Sequence, residues 1–241
     1  MIDIFVPVYN EKDNIKPLLD ALQEKVQVDF EVMIVYDMDE DNTLPVLKEI
    51  EKNYDFNIRL IKNLYGRGAL NALKTGIEMV EHEYWVFTMA DLSDSLETIN
   101  IMSQKLKEGY DMVVGSRYMR GGKKTGGPVL KSLFSKVSGR AMNILIGIPT
   151  VDMTNGFKMY RKDVLKKIQL ESKYGFEIGL ELALKTYLEG YKITEVPASW
   201  QDREAGTSNF NMWKLIPHYL YWCFYAMKEH FFHGKPKKNK R

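Results

Sequence analysis

Short apolar runs alternate with amphipathic helical patterns along residues 1–115, and this alternation restricts the fold more than any other feature of the sequence. The runs are rich in β-branched residues and predict strands at residues 2–8, 30–35, 58–61, 84–89 and 112–115. Apolar residues at helical spacing predict intervening helices around residues 15–26, 43–54, 68–80 and 96–106. Such alternation predicts an α/β protein with a mostly parallel sheet and helices on both faces. In such sheets, ligands bind beyond the carboxyl ends of the strands.

The pattern changes after Tyr118. Residues 121–128 contain four glycines, one proline and two lysines, a composition that predicts a mobile loop. Beyond this loop the sequence predicts helices at 129–146 and 176–189 and strands at 156–160 and 192–196. A polar segment at 201–209 and an aromatic-rich stretch follow. These changes divide the chain into a main α/β domain at residues 1–210, an aromatic helical segment at 211–234 and a basic tail at 235–241.

Composition and charge exclude several classes of protein. Of the 241 residues, 45% are hydrophobic and 27% charged, as in ordinary globular proteins, and the single Cys223 excludes an internal disulfide. The tail carries five basic residues, whereas residues 1–234 hold 29 basic against 32 acidic residues. Such a body lacks the basic surface that nucleic-acid binding requires. Residues 1–10 do not resemble a signal peptide, and no stretch approaches 20 uncharged apolar residues, so we expect a cytoplasmic protein.

Acidic residues gather where two of the predicted strands end. Asp37, Asp39 and Asp41 follow the strand that ends at residue 35, and Asp91 and Asp94 follow the strand that ends at residue 89. Each aspartate taken alone fits a helix cap or a turn. Taken together, at the carboxyl edge of one parallel sheet, they predict a mouth that holds a divalent cation and a polar ligand.

Three basic residues are candidates for contact with phosphate oxygens: Arg117, Lys131 and Arg203. Arg117 follows a predicted strand and precedes the glycine-rich segment. An exposed lysine such as Lys131 is equally compatible with a solvated surface group. The segment Gly66-Arg67-Gly68 does not complete GxGxxG, and the P-loop pattern does not occur, so the sequence does not favour a dinucleotide or P-loop site.

Seven further segments of the chain form an ordered series. They are PVYNEKDNI (7–15), VYDMDEDNT (35–43), MADLSD (89–94), GSRY (115–118), DMTNGFKMY (152–160), GFEIGLEL (175–182) and EVPASWQDREAGTSNF (195–210). Their order resembles the motif series of family 2 glycosyltransferases, and most of all the dolichol-phosphate mannose synthase-like branch. The resemblance covers about residues 1–210, and seven motifs in the right order are hard to obtain by chance.

The resemblance implies a GT-A fold and inverting transfer of a sugar from a nucleoside-diphosphate sugar to an acceptor, with a polyprenyl (dolichyl-type) phosphate as the favoured acceptor. It also implies a divalent cation, Mg²⁺ or Mn²⁺, held by Asp91 with help from Asp94. The residues expected to bind the nucleotide and the donor are Pro7, Tyr9, Asn10, Glu11, Asp37, Asp41, Ala90, Asp91, Arg117, Lys131, Arg203 and Ser208. Those expected to act in catalysis are Asp152, Asp91 and Arg203.

The chain departs from the family pattern in both acidic motifs and in the late loop. Tyr36 replaces the first aspartate of the nucleotide motif, and Met38-Asp39 replaces Gly-Ser, so base recognition is expected to differ. Met89 stands at the first position of the Asp-x-Asp metal motif, and a thioether is a poor ligand for Mg²⁺ or Mn²⁺. Asp91 is therefore expected to be the main metal ligand. Asn209 stands where a lysine is common.

The residues also suggest the chemistry. Inverting transfer separates an anomeric carbon from a diphosphate through an oxocarbenium-like state, so the leaving group needs positive charge. Asp91 with its cation, Arg117 and Arg203 would meet that need. Asp152 would act as a general base for a hydroxyl acceptor, whereas a lipid phosphate needs positioning more than deprotonation. Two other functions stay open: a regulatory nucleotide-sugar-binding protein built on a degenerate transferase, and a sugar nucleotidyltransferase.

Two further predictions concern surface segments. Residues 121–128 and 203–209 are expected to be mobile without ligand and to order around the diphosphate. Residues 217–232 contain seven aromatics, and a helix of this length, about 24 Å, is too short to span a bilayer. With the basic tail they predict peripheral contact of residues 211–241 with the cytoplasmic face of a membrane. The alternative is that these aromatics pack against the core.

Overall fold

The computed structural model describes residues 1–175, 177–202 and 212–234, with the side chains of residues 212–215 and 233 outside that description. Within these ranges the chain forms nine strands. They are β1 Ile2–Val8, β2 Phe30–Tyr36, β3 Ile58–Lys62, β4 Tyr84–Phe87, β5 Met112–Ser116, β6 Lys123–Thr125, β7 Lys158–Arg161, β8 Ile193–Pro197 and β9 Ser199–Gln201. The helices are α1 Lys12–Lys25, α2 Thr43–Ile50, α3 Ala69–Glu78, α4 Thr98–Lys107, α5 Val129–Ile146, α6 Lys162–Lys167, α7 Ile178–Leu188 and α8 Met212–His233. A short 3₁₀ turn, Glu51–Asn53, extends α2.

Seven strands form one sheet in the order β3-β2-β1-β4-β7-β5-β8. All neighbouring pairs are parallel except the two that involve β7, which runs antiparallel between β4 and β5. The predicted mostly parallel sheet is therefore confirmed. The carboxyl ends of the parallel strands meet at one edge, and the loops that leave this edge carry the predicted residues Asp37, Asp41, Asp91, Asp94 and Arg117.

Side chains of β1 show how the two faces of the sheet are covered. Ile4 and Val6 lie in a cluster with α1, α2 and α4, whereas Phe5 lies in a second cluster with α3, α6 and α7. Alternate residues of a strand point to opposite faces, so a strand that is apolar at successive positions is buried on both sides. Ile4, Phe5 and Val6 are each 0% exposed. The prediction of helices on both faces is thus confirmed.

The glycine-rich segment differs from its prediction. Residues 121–128 contain β6, which pairs in parallel with β9 to form a second, two-stranded sheet. β6 reads Lys-Lys-Thr and β9 reads Ser-Trp-Gln, so neither has the apolar alternation from which a strand can be predicted. The pairing is set by backbone groups brought together by the rest of the fold. The mobility expected of this segment stays a prediction.

The carboxyl-terminal helix, α8, packs one side against the body of the protein. Trp222, Cys223 and Ala226 are buried in a third cluster that α8 shares with α5 and α7. Its other side exposes aromatic rings, among them Tyr221 and Phe224. Of the helices the structure describes, none combines the length and apolar character needed to cross a bilayer. The predicted boundary at residue 210 and the tail at 235–241 lie outside the described residues.

Candidate active site

The loops after β1 and β2 are joined through Asp41. Its carboxylate accepts hydrogen bonds from the backbone amides of Asn10 (3.1 Å) and Thr43 (2.9 Å), and the Thr43 hydroxyl accepts one from the amide of Glu11 (2.9 Å). Asn10 has a φ of 58°, a left-handed conformation that costs energy unless neighbouring contacts hold it. Asp41 is only 1% exposed. Since each Asp41 oxygen accepts a hydrogen bond from a backbone amide, Asp41 shapes the loop; the nucleotide contact predicted for it stays a prediction.

Replacing Asp41 with alanine is expected to lower the free energy of unfolding by about 1–3 kcal/mol, because the buried amide of Thr43 and the part-buried amide of Asn10 lose their acceptor. Urea denaturation measures the change. Asp39→Ala is the control, since Asp39 is exposed and pairs only with the surface residue Lys62 among the described contacts; its urea midpoint should match that of the wild type. An Asp41→Ala variant as stable as Asp39→Ala would contradict this role.

The predicted nucleotide residues of β1 and β2 lie on neighbouring strands at the carboxyl edge. Pro7 is half-buried and Tyr9 is exposed. Asp37 accepts hydrogen bonds from the Asn63 side chain (2.8 Å) and the Gly68 backbone amide (2.8 Å). Gly68 has a φ of 118°, a conformation that favours glycine. Asp37 thus ties β2 to the loop before α3 while remaining partly exposed.

The turn after β4 brings Asp91 and Asp94 together. Asp94 is buried and accepts a hydrogen bond from the Thr88 hydroxyl (3.2 Å), and the backbone amide of Ser93 donates to Asp91 (3.1 Å). The pKa of Asp94 is raised to about 7, mainly by burial and to a smaller extent by the negative charge of Asp91. A bound cation would relieve the repulsion between the two carboxylates, so the pair fits the predicted divalent cation.

The two residues that precede Asp91 pack in the apolar clusters of the sheet. Met89 is half-buried and packs against the cluster of α3, α6 and α7. Ala90 is buried in the cluster on the opposite face, and the donor contact predicted for it stays a prediction. The thioether of Met89 therefore takes part in packing, and the carboxylates of this turn come from Asp91 and Asp94.

Strand β9 holds the acidic turn in place. The backbone amide of Gln201 donates to the carbonyl of Ser93 (2.9 Å), and that of Ser95 donates to the carbonyl of Ser199 (3.0 Å). Asp202, the next residue after β9, donates its amide to Thr125 (3.0 Å). Arg203 and Ser208, predicted to bind the donor, lie outside the described residues, and their roles stay predictions.

At the end of β5, Arg117 forms a buried ion pair with Asp152. The Arg117 Nε and Nη2 atoms each donate to a different Asp152 oxygen at 2.8 Å, and the Arg117 backbone amide adds a third bond at 2.8 Å. The side chains are 9% and 0% exposed. Burial alone would lower the pKa of Arg117, but its hydrogen bonds to Asp152 and the charge of that carboxylate raise it. Asp152 is therefore placed to orient Arg117, and this arrangement gives no support to the predicted base role.

A buried lysine that the sequence analysis missed lies beside this pair. Lys158 is 1% exposed, and its Nζ donates to the backbone carbonyls of Asn155 and Gly179. Burial lowers the pKa of Lys158 to about 7. The Asn155 side chain in turn donates to the carbonyl of Gly115 (2.7 Å). These bonds connect the turn that carries Asp152 to β5 and to α7.

Basic and polar residues extend from Arg117 to the start of α5. Lys131 lies half-buried in the first turn of α5, next to Ser132. The carbonyl of Ser132 accepts a hydrogen bond from the Tyr118 hydroxyl (3.3 Å), and its hydroxyl accepts one from Lys124. The ammonium of Lys124 stands over the ring of Trp200, 4.9 Å from its centroid. Lys124 was not predicted, because the glycine-rich segment gave no sign of an ordered strand.

A second group of possible metal ligands lies at the opposite edge of the sheet. Asp3, Glu31 and His82 bring ligand atoms close together. The guanidinium of Arg59 already pairs with Asp3 (3.2 Å) and Glu31 (2.9 Å). This arginine supplies the positive charge that a cation would otherwise bring, so we interpret the group as an ion-pair network that joins the amino ends of the strands.

Two curated relatives match most of the chain. A dolichol-phosphate mannosyltransferase of Pyrococcus furiosus is 29% identical over 232 residues, which cover 94% of this chain and 64% of the relative. A polyprenol monophosphomannose synthase of Mycolicibacterium smegmatis is 25% identical over 213 residues, 86% of this chain and 80% of the relative. This chain therefore spans slightly less than two thirds of the length of the first relative.

Two solved structures show the same fold. The first is a mannosyltransferase of Pyrobaculum calidifontis in complex with GDP-Man and Mn²⁺. It aligns with a TM-score of 0.69 at 18% identity, and the alignment covers 98% of this chain and 65% of the mannosyltransferase chain. The second is glucosyl-3-phosphoglycerate synthase of Mycobacterium tuberculosis, in complex with Mn²⁺, UDP and glucosyl-3-phosphoglycerate. It aligns with a TM-score of 0.66 at 15% identity, and the alignment covers 95% of this chain and 80% of the synthase chain. The GT-A fold is thus confirmed. The sequence pattern described as glycosyl transferase family 2 matches residues 3–169, more than half of the chain, and we conclude that this chain belongs to that family.

Proposed function

We propose that this protein transfers a sugar, with inversion, from a nucleoside-diphosphate sugar to a polyprenyl phosphate. The observation that carries the proposal is that an acidic turn and a set of basic residues, Arg117, Lys124 and Lys131, lie at one sheet edge. The turn that carries Asp91 and Asp94 follows β4, and Arg117 follows β5. In the sheet, only β7 lies between these two strands. A donor diphosphate held with a cation fits the first group, and an anionic acceptor fits the second.

The donor side comprises the loops of β1, β2 and β4. Asp37 and the Tyr9–Glu11 loop, which Asp41 holds in shape, would bind the nucleoside. Asp91 and Asp94 would hold Mg²⁺ or Mn²⁺, which supplies neutralising charge to the diphosphate leaving group when it is bound. The likeness to structures that contain Mn²⁺ with GDP-Man or with UDP supports this arrangement.

The acceptor side comprises Arg117 and the residues around the start of α5. A phosphate monoester of a polyprenol is already ionised, so it needs no base, and Asp152 can remain bound to Arg117 throughout. An acceptor oxygen forms its bond to the anomeric carbon while the bond to the donor diphosphate breaks, and the electron pair leaves with the diphosphate. Arg117, Lys131 and the late-loop residue Arg203 would bind the phosphate oxygens. The names of the two curated relatives support this class of acceptor.

A regulatory protein built on a degenerate transferase is the second candidate. The position of Met89 in the packed cluster, where the family motif has a carboxylate, favours it. Such a protein would bind a nucleotide sugar but transfer the sugar slowly or not at all.

The test incubates the full chain with GDP-mannose or UDP-glucose, Mn²⁺ and a short-chain polyprenyl phosphate. We expect a glycolipid product whose amount depends on all three additions. Thermal shift in the same mixtures measures binding, since a ligand of the native state raises the melting temperature. Binding without a glycolipid would favour the regulatory function. A separate incubation with a nucleoside triphosphate and a sugar 1-phosphate tests the remaining alternative, because a nucleotidyltransferase would join them and release pyrophosphate.

We further propose that residues 211–241 bring the protein to the cytoplasmic face of a membrane, where a lipid-phosphate acceptor would reside. The exposed aromatics of α8 and the five basic residues of the tail support this contact.

A further inference from the structure

A stripe of apolar side chains runs along the outer face of α5. Its members are separated by three, four and seven residues, which places them on one side of the helix. They are Leu130, Leu133, Val137 and Ile144, which are 54%, 55%, 57% and 80% exposed. The opposite side of α5 is buried through Ser135, Gly139, Met142 and Ile146. The helix is therefore apolar on the side that faces solvent as well as on the side that faces the core.

Close packing fixes the outward direction of this stripe. Gly139 lies so near the chain at Val151 that a Cβ atom on it would come within 2.1 Å of the Val151 carbonyl oxygen. Only a glycine allows this approach. Rotation of α5 that would bury Val137 would remove Gly139 from that contact, so the apolar stripe cannot be turned inward without repacking the helix.

The neighbouring helix α8 exposes a similar set. The two helices share the cluster that contains Met142 and Trp222. Away from that cluster, α8 exposes Leu220, Tyr221, Phe224 and Phe231, which are 40%, 57%, 63% and 65% exposed. Soluble proteins rarely expose so many large apolar side chains on adjoining elements unless the surface binds something.

The charges of this surface indicate the kind of partner. Along its whole length α5 carries three basic residues, Lys131, Lys136 and Arg140, and no acidic one. Lys136 and Arg140 are exposed and flank the apolar stripe. On α8, Lys228 is exposed as well. Apolar residues bordered by cations match the interface of an anionic bilayer, where side chains enter the acyl boundary and cations meet the head groups.

We infer that the α5 stripe, together with the outer side of α8, docks on the surface of an anionic lipid bilayer. The start of α5 adjoins the acceptor side of the site, because the Tyr118 hydroxyl donates to the Ser132 carbonyl. Docking through α5 would bring Arg117 to head-group depth. The inference deepens the proposed function and rests on it for the purpose of the contact, but the contact itself is measurable without donor or acceptor.

Co-sedimentation of the full chain with vesicles tests the inference. In low salt, we expect the wild type to bind vesicles of equal parts phosphatidylglycerol and phosphatidylcholine, and to bind pure phosphatidylcholine more weakly. Leu133→Glu and Val137→Glu should each lower the partition coefficient about tenfold or more. In the docked protein, the carboxylate would replace an apolar group that enters the membrane, and it would repel the anionic lipid. Ile101→Glu is the matched control on α4, where Ile101 is 44% exposed, and it should bind like the wild type.

Three outcomes would overturn the inference. The first is wild-type protein that ignores both kinds of vesicle. The second is equal binding by the wild type and the α5 variants, which would assign the contact to α8 and the tail alone. The third is a dimer, seen by light scattering, that Val137→Glu dissociates without any effect on vesicle binding; this would assign the stripe to a second copy of the chain. If the glutamate variants melt at lower temperatures than the wild type, Leu133→Ser and Val137→Ser are used in their place. A transferase assay run separately keeps failure of docking distinct from failure of the proposed reaction.

Discussion

Asp91→Asn is expected to lower sugar transfer by at least about a thousandfold, as judged by glycolipid formation at saturating donor and Mn²⁺. The substitution preserves the size of the side chain but removes the negative charge of the more exposed carboxylate in the turn after β4. Stabilisation of charge on a leaving group contributes several kcal/mol to catalysis, on the order of 3–4 kcal/mol for a single strong interaction. Met89 offers no second carboxylate in compensation.

Asp55→Asn is the control for this measurement. Asp55 is an exposed aspartate just before β3, at the amino edge of the sheet, and its loss should leave transfer unchanged. Residual activity of Asp91→Asn above a tenth of the wild type would show that Asp91 is not the main ligand. Calorimetry with Mn²⁺ adds a second test: the nucleotide-free protein should bind the ion weakly. Tight binding that survives Asp91→Asn would assign the ion to other residues.

Asp152→Ala should lower the free energy of unfolding by about 3–5 kcal/mol, because it leaves the Arg117 guanidinium buried without a counter-charge. Urea denaturation measures this loss. The double variant Arg117→Met with Asp152→Leu removes both charges, and it should be more stable than Asp152→Ala. Additive losses in the double variant would contradict a coupled ion pair.

The same variants separate orientation from base catalysis. If Asp152 orients Arg117, Asp152→Asn should lose both stability and affinity for the polyprenyl phosphate while the pH profile of transfer keeps its shape. A general base behaves differently: its loss lowers kcat and abolishes the acid limb of the pH profile, with stability little changed. That second result would support the general-base role predicted for Asp152 from the sequence.

The sequence was most informative where burial follows a regular period. The bounds predicted for α5 at 129–146 and for β1 at 2–8 match the structure at both ends. Apolar periodicity predicts these elements because the same residues that repeat along the sequence fill the core. β6, β9 and α6 have three to six residues each, too few to show a period, and all three were missed.

The site was predictable by position but not by contact. Acidic and basic residues that follow the predicted strands do lie together at the carboxyl edge of the sheet. Which partner each carboxylate has depends on backbone amides and side chains far along the chain: Asp41 binds the amide of Asn10, and Asp152 binds Arg117. Lys158 was missed although it falls in the middle of the strand predicted at 156–160. Its place between two buried apolar residues, Phe157 and Met159, was the available signal for a buried cation.

The antiparallel strand β7 has a consequence for how the chain assembles during synthesis. β1 to β4 and their helices can pair locally as they emerge, but the inner edge of β4 has no neighbour until residues 158–161 arrive and bridge it to β5. An exposed central strand is prone to pair with other chains, and contacts between distant residues form slowly. Nascent chains shorter than about 160 residues therefore carry an open edge at the future junction of β4 and β7. Fragments that stop before β7 should aggregate, and the turn that carries Asp91 comes together with Arg117 in a single late step.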